Sequence, residues 1–359
     1  MSAYNSLLPF FFAIAIGVPS ALLYVAESYT IIVNHKRISS SPFFHLFVLR
    51  TIPSLLSVIC AYVGGHRFGR AGWFLQFYQN CPQFLILFCF FIGYWSFHAE
   101  NIASTSMLLN RLSSICIPVI HDKIWRRYLV PLSILATFVI PTIICHRIFW
   151  LKVFIRVQAD NFTFTLDTVG RDTSDSNGGN YYACVSAIVF LFICTFLNVA
   201  TVIAYRYHRK KIGGSFAQDS DSDRVKIKLT MYAVATFLGQ LLMCCYYILI
   251  YYCIVVGESS ELVFLTTFNQ WAWINDLSTL TIPAWMLLWA STHIRTLMAV
   301  TFLRNGPVER IWRIRSDGNI SKRGSDSRAR SIYSNSIDVR VNQSVGYRKS
   351  LPFVKVYSG

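Results

Sequence analysis

An all-α membrane protein is the fold class this sequence predicts: a bundle of seven transmembrane helices, its N-terminus outside and its C-terminus in the cytosol. Three observations carry it. Of the 359 residues, 54% are hydrophobic and only 14% charged, with a mean hydropathy of +0.45; a soluble domain carries roughly a quarter charged residues, so water cannot cover this chain on all sides. Seven stretches each supply about 20 or more mainly apolar residues, the length that a spanning helix requires. Lysine and arginine are shared very unequally between alternate connections.

The spans, in order, are about 9–33, 43–63, 81–109, 128–149, 182–205, 229–256 and 262–290. Backbone in lipid must satisfy its own polar groups, so runs of this kind are helices, and the alternating pattern of a barrel is missing. The first run is too long for a cleavable signal core and no basic residue precedes it, so it reads as a span. With the N-terminus outside, inner segments hold 26 of the 33 Lys and Arg: Lys36 and Arg37, four from Arg111 to Arg127, seven from Arg206 to Lys228, and thirteen after Ala290. This positive-inside pattern accounts for the formal net charge of +16 better than nucleic-acid binding does.

The loop after the fourth span contains Asn161-Phe162-Thr163, a glycosylation acceptor usable only on the outer side, and a polar turn region from Arg171 to Asn180. After the seventh span, Ile294, Leu297, Met298 and Phe302 recur at helical spacing opposite His293, Arg295 and Arg304. They predict a surface helix over about 292–304, halted by Asn305-Gly306-Pro307. Residues 1–305 thus form the membrane domain, and 306–359, basic and serine-rich, a disordered cytosolic tail.

A charge inside a span costs about 2.5–3.5 kcal/mol on insertion scales, so each one calls for a partner or a function. Glu27 and Arg50 fall at matching depth on adjacent helices and are read as an interhelical ion pair; the alternative is that Arg50 snorkels to the inner surface. Glu100 and Asp276 lie deeper, with His98, Asn101, Gln270, Trp271, Trp273 and Asn275 near them in sequence. These eight are the ligand-pocket candidates, and a buried polar network that sets the resting arrangement is the other role open to them. Cys81 and Cys184 open the third and fifth spans on the oxidising side and are read as a disulfide pinning the glycosylated loop over the bundle mouth. The remaining cysteines, of ten, read as reduced core residues; no metal-type spacing occurs and neither a metal nor a cofactor is expected. Catalytic motifs such as G-x-S-x-G, H-E-x-x-H or a phosphate-cradling glycine loop are missing, so an enzyme is not expected either.

At the inner end of the third span, Asn110-Arg111-x-x-x-Ile115-x-x-Pro118 resembles the pattern of acid-arginine, isoleucine and proline in rhodopsin-like G-protein-coupled receptors. The resemblance implies that Asn110, Arg111, Ile115 and Pro118 belong to an activation switch and that the loop behind them touches a heterotrimeric G protein. The chain departs from that pattern at Asn110, where the acid stands, and at Leu112, where an aromatic stands. Its sixth span has no proline, and its seventh keeps only Pro283 of the usual asparagine-proline-tyrosine motif.

A fuller resemblance is to the nematode serpentine receptors of class gamma, the Srg family. Its carriers are Val18-Pro19-Ser20 with Leu23-Tyr24, Ser41-Pro42-Phe43-Phe44 with Leu46-Phe47, and Asn110-Arg111-Leu112-Ser113-Ser114-Ile115 with Ile124-Trp125. It covers about 9–304 and implies a chemoreceptor of the plasma membrane, on sensory cilia, that passes the binding of an external small molecule or pheromone to a cytosolic G protein. The competing reading is a transporter or channel with Glu100 and Asp276 as its midplane pathway, against which stand the odd span count and the lack of paired repeats. A membrane scaffold acting through its basic tail is a third.

Overall fold

Long apolar runs become long helices because backbone in lipid has no solvent to bond to. The computed structural model describes residues 4–35, 41–63, 67–69, 71–157, 163–169, 178–212, 220–256, 267 and 270–303. In it the chain forms α1 (Tyr4–Val33), α2 (Pro42–Val63), a short α3 (Leu75–Asn80), α4 (Gln83–Cys116) and α5 (Pro118–Trp150), then strands β1 (Lys152–Val157) and β2 (Phe164–Val169). Helices α6 (Gly178–Ile212), α7 (Ser220–Val256), α8 (271–290) and α9 (Thr292–Leu303) follow. Among the described residues two helices contain a wider π turn, α5 at Trp125–Leu129 and α8 at Leu277–Thr281, and α5 ends in a tighter 3₁₀ turn at His146–Trp150.

Six helices among the described residues are long and apolar enough to cross a membrane: Leu8–Val33, Pro42–Val63, Gln83–Cys116, Pro118–Trp150, Tyr181–Tyr207 and Met231–Cys253. The fold is that of an all-α membrane protein. Its outward faces agree, since Leu132, Leu135 and Ile143 on α5 and Phe192, Phe196 and Ile203 on α6 recur at helical spacing and stand exposed. Such stripes are unfavourable in water and are solvated by lipid. The boundaries differ from expectation at the polar stretch after Leu109. There Ser113 and Ser114 donate back to the carbonyls of Asn110 and Arg111, and α4 runs on to Cys116.

One end of the bundle carries Asn110. Here Tyr24, Phe47, Met107, Trp125, Tyr232 and Leu287 form the largest buried cluster, joined by Ile294 and Leu297 of α9. Ile294 and Leu297, two of the four apolar positions that the spacing marked out, thus pack into this core, whereas Phe302 stands exposed.

The other end carries a cap, built from the connection after the fourth span. Strands β1 and β2 pair antiparallel, Lys152 opposite Val169 and Val157 opposite Phe164, in a two-stranded sheet of order β1-β2. Phe164 and Leu166, on one face of β2, bury against Tyr78 and Ile86. The Phe164 amide donates to Gly69 O at 3.0 Å and Tyr78 Oη to Val63 O at 2.5 Å, so hairpin, connecting segment and α2 are tied together. Between Gly69 and α3 the backbone turns back through Gly72 and Phe74, with φ of 71° and 65°. Glycine takes that conformation freely, whereas Phe74 is strained in it. Asn161, residues 171–177 of the expected turn and the tail 306–359 lie outside the described residues, and Gly178 already opens α6.

Candidate functional site

Among the described residues two buried polar assemblies occupy the bundle, one towards the hairpin end and one around its middle. Towards the hairpin end, Asp276 of α8 is fully buried and receives a forked bond from Arg67, which follows α2: Nη1 donates to Oδ2 at 2.8 Å and Nη2 to Oδ1. Nη2 also reaches Ala272 O at 3.3 Å, and the guanidinium lies 4.2 Å from the centre of the Tyr62 ring. Burial alone would lower the Arg67 pKa, but the adjoining carboxylate more than offsets this and holds it above its ordinary value, so the cation persists. The carboxylate fits because α1 carries Gly17 against it; a Cβ there would collide with Asp276 Oδ2. Below that contact Ser20 Oγ and Thr281 Oγ1 share a hydrogen bond of 3.0 Å, and Trp285 Nε1 donates to Ser20 Oγ at 3.1 Å, continuing the seam between α1 and α8.

The second assembly surrounds Arg50, whose side chain on α2 turns to the middle of the bundle. It interacts with Tyr24, Tyr232 and Glu100, and it lines two cavities of about 10 Å³ each, room for about one water molecule. Glu100, Asn101, Ser278 and Thr279 close the cavity on the hairpin side. Ser104, Arg111, Tyr232 and Thr236 line the one towards Asn110. Gln240 belongs to both.

Beside it lies the Asn110-Arg111 pair. Asn110 is buried, and its Nδ2 and carbonyl oxygen both approach Nε2 of His121, at 3.2 and 3.1 Å. Trp125 Nε1 donates to Ser113 Oγ at 2.7 Å, which pins the turn between α4 and α5 a second time. Arg111 points the other way, its guanidinium carbon 4.0 Å from the centre of the Phe43 ring, in a cation–π contact. Residue 110, the acid position of the rhodopsin-like pattern, thus faces His121 rather than the arginine. Ile115 is half-buried, and Pro118 is exposed as the first residue of α5.

The expected pair of Glu27 and Arg50 is not made. Neither carboxyl oxygen of Glu27 has a hydrogen-bond partner, although the residue is fully buried. Depth was read correctly, since the neighbouring Ser28 and Thr51 bond to each other at 2.9 Å. The helical phase was not: one residue back along α2 is a rotation of about 100°, and Arg50 meets Tyr24 of α1 instead of Glu27. Cys81 and Cys184 are both free thiols. Cys81 packs into the cap with Tyr78 and Phe164, whereas Cys184 follows Ala183, which packs with Phe97 and Tyr247.

The eight pocket candidates do not gather in one place. Glu100 and Asn101 share the central cavity, Asp276 is held by Arg67, and Gln270 Oε1 accepts from Trp273 Nε1 at 2.6 Å. Trp271 and Trp273 pack against the cluster of Phe97 and Tyr247. Asn275 uses its carbonyl for Ser278 and Thr279, and His98 is buried beside Phe97 with Nδ1 unbonded. Since Glu100 and Asp276 have separate surroundings, they do not form the paired midplane site on which a transport reading rested. Sequence reasoning passed over Arg67, Gly17 and Tyr232. The one available signal was that a buried aspartate needs a cation, and Arg67 is the first Lys or Arg beyond the second span.

A multi-pass helical membrane protein with capped and Asn110-bearing ends is the class that this fold and these sites define. The Srg family chemoreceptor profile matches residues 10–298, most of the chain, and the protein belongs to that family. It is a serpentine chemoreceptor, of a receptor family and not an enzymatic one. No curated protein matches it.

Proposed function

We propose that the chain is a seven-helix G-protein-coupled chemoreceptor, with α8 as its seventh span, the hairpin end outside and the Asn110 end in the cytosol. Helix α8 runs for 20 residues, 271–290, at about 1.5 Å rise, which makes about 30 Å, the thickness of a hydrocarbon core. An external small molecule or pheromone binds on the capped side of the bundle, at the plasma membrane of a sensory cell or its cilium. Binding shifts the helices only if the active arrangement holds the ligand more tightly than the resting one.

The observation that carries this reading is the position of Arg111. It rests on Phe43 at the end to which positive-inside counting assigns the cytosol, beside Asn110, His121 and the basic stretch Lys123 to Arg127. On this account the switch is Arg111 leaving Phe43 to meet the G protein, and residues 1–305 are the signalling domain. A panel of volatile and water-soluble odorants, applied to cells that express the chain with a promiscuous G protein, tests it. At least one compound evokes a response, and Arg111→Ala abolishes it with surface expression intact; full signalling from that variant contradicts the assignment.

A further inference from the structure

The cavity between Arg50 and Arg111 has an unusual wall. Its lining brings together two guanidiniums and the hydroxyls of Ser104, Tyr232 and Thr236, and among the described residues no carboxylate lines it; the nearest acidic partner of Arg50, Glu100, faces the neighbouring cavity. Three of the groups around it lack a hydrogen-bond partner, Arg50 Nε, Arg111 Nε and Ser104 Oγ, while Tyr232 Oη meets Arg50 and keeps its own proton to donate. Arg50 is 1% exposed and Ser104 5%, so bulk water does not serve them. Both arginine nitrogens are obligate donors, and both hydroxyls donate readily. A buried donor left unmet costs about 1–3 kcal/mol, and more where the group is charged.

From this we infer that the cavity binds one small inorganic anion, chloride in the cell, held by Arg50, Arg111, Ser104 and Tyr232. Room for about one water-sized particle suits a monovalent ion little larger than water and excludes phosphate or an organic acid. A metal cation is excluded by the two guanidiniums. Water alone would satisfy some of the donors but leave Arg111 without a counter-ion, since Glu100 answers Arg50, whereas an anion answers both. The bound ion ties α2, α4 and α7 together and holds Arg111 in place against Phe43. The inference is independent of G-protein coupling, because it is read as stability.

The test is thermal unfolding of the full chain in lipid nanodiscs at fixed pH and ionic strength, with chloride replaced stepwise by gluconate, which is too large for the cavity. Chloride raises the unfolding midpoint in a saturable manner, by about 2 °C or more, and bromide substitutes for it. Ser104→Ala keeps the fold and raises the half-saturating chloride concentration about fivefold, the worth of one hydrogen bond, and Arg111→Gln abolishes the dependence. Equal midpoints in chloride and gluconate mean that only water occupies the cavity and overturn the inference. A chloride dependence unchanged in both variants places the ion elsewhere and overturns it too.

Discussion

Arg67 Nη1 donates to Asp276 Oδ2 at 2.8 Å across 209 positions of sequence, and neither side chain is more than 1% exposed. This pair joins the segment after α2 to the second turn of α8, towards the hairpin end. Removing one member strands the other as a buried charge, a loss of roughly 3–5 kcal/mol, while replacing both by apolar groups restores most of it. Arg67→Met or Asp276→Leu alone therefore lowers the unfolding midpoint sharply, and the double variant recovers. Additive losses in the double variant, measured by thermal unfolding in nanodiscs, contradict the pairing.

Gly17 leaves the Asp276 carboxylate its place against α1. In Gly17→Ala the new methyl displaces that carboxylate from Arg67, a loss of about 1–3 kcal/mol of the kind that overpacking produces. The penalty shrinks in an Asp276→Ala background, where the space is open. A double-mutant cycle measures this coupling, and zero coupling excludes the contact.

The bond between Asn110 and His121 holds the turn from α4 into α5. His121→Ala lowers stability by about 1–3 kcal/mol, because it leaves the buried Asn110 amide unmatched, whereas Asn110→Ala costs less, since His121 Nε2 keeps the backbone carbonyl of residue 110. The double variant loses little more than the worse single one. Since position 110 faces His121, Asn110→Asp does not lock Arg111 as an acid there does in the rhodopsin-like pattern, and ligand response persists; silencing by that variant contradicts this geometry.

Cys81 packs into the hairpin cap, Cys184 follows Ala183 of the Phe97 cluster, and both are free. Alkylation of the unfolded, unreduced protein followed by mass spectrometry labels both thiols, and the pair Cys81→Ser/Cys184→Ser keeps the wild-type unfolding midpoint. A peptide pair joined through these sulfurs shows instead that the cap rearranges to bring them together.

Much of this architecture is written in apolar run lengths, which are one-dimensional and survive translation into helices. The apolar spacing of Ile294 and Leu297 likewise marked the face that α9 buries. What did not survive was azimuth. Glu27 and Arg50 match in depth, yet their neighbours Ser28 and Thr51 make the contact, because a turn of about 100° per residue decides which side chain faces which helix. Partners supplied from outside the spans, such as Arg67 for Asp276, depend on how a connection folds back, and run lengths carry no trace of that. The hairpin was legible in principle: Phe164 and Leu166 alternate with Thr165 and Asp167, the period of a half-buried strand.

The central claim is that seven spans separate the two ends of the chain, with α8 completing the count that the six long helices leave even. Antibody staining of intact cells carrying one epitope at the N-terminus and another at the C-terminus reads this directly. The account predicts that the N-terminal epitope stains intact cells and the C-terminal epitope stains only after permeabilisation. Both epitopes staining intact cells, or neither, means an even number of crossings and contradicts it.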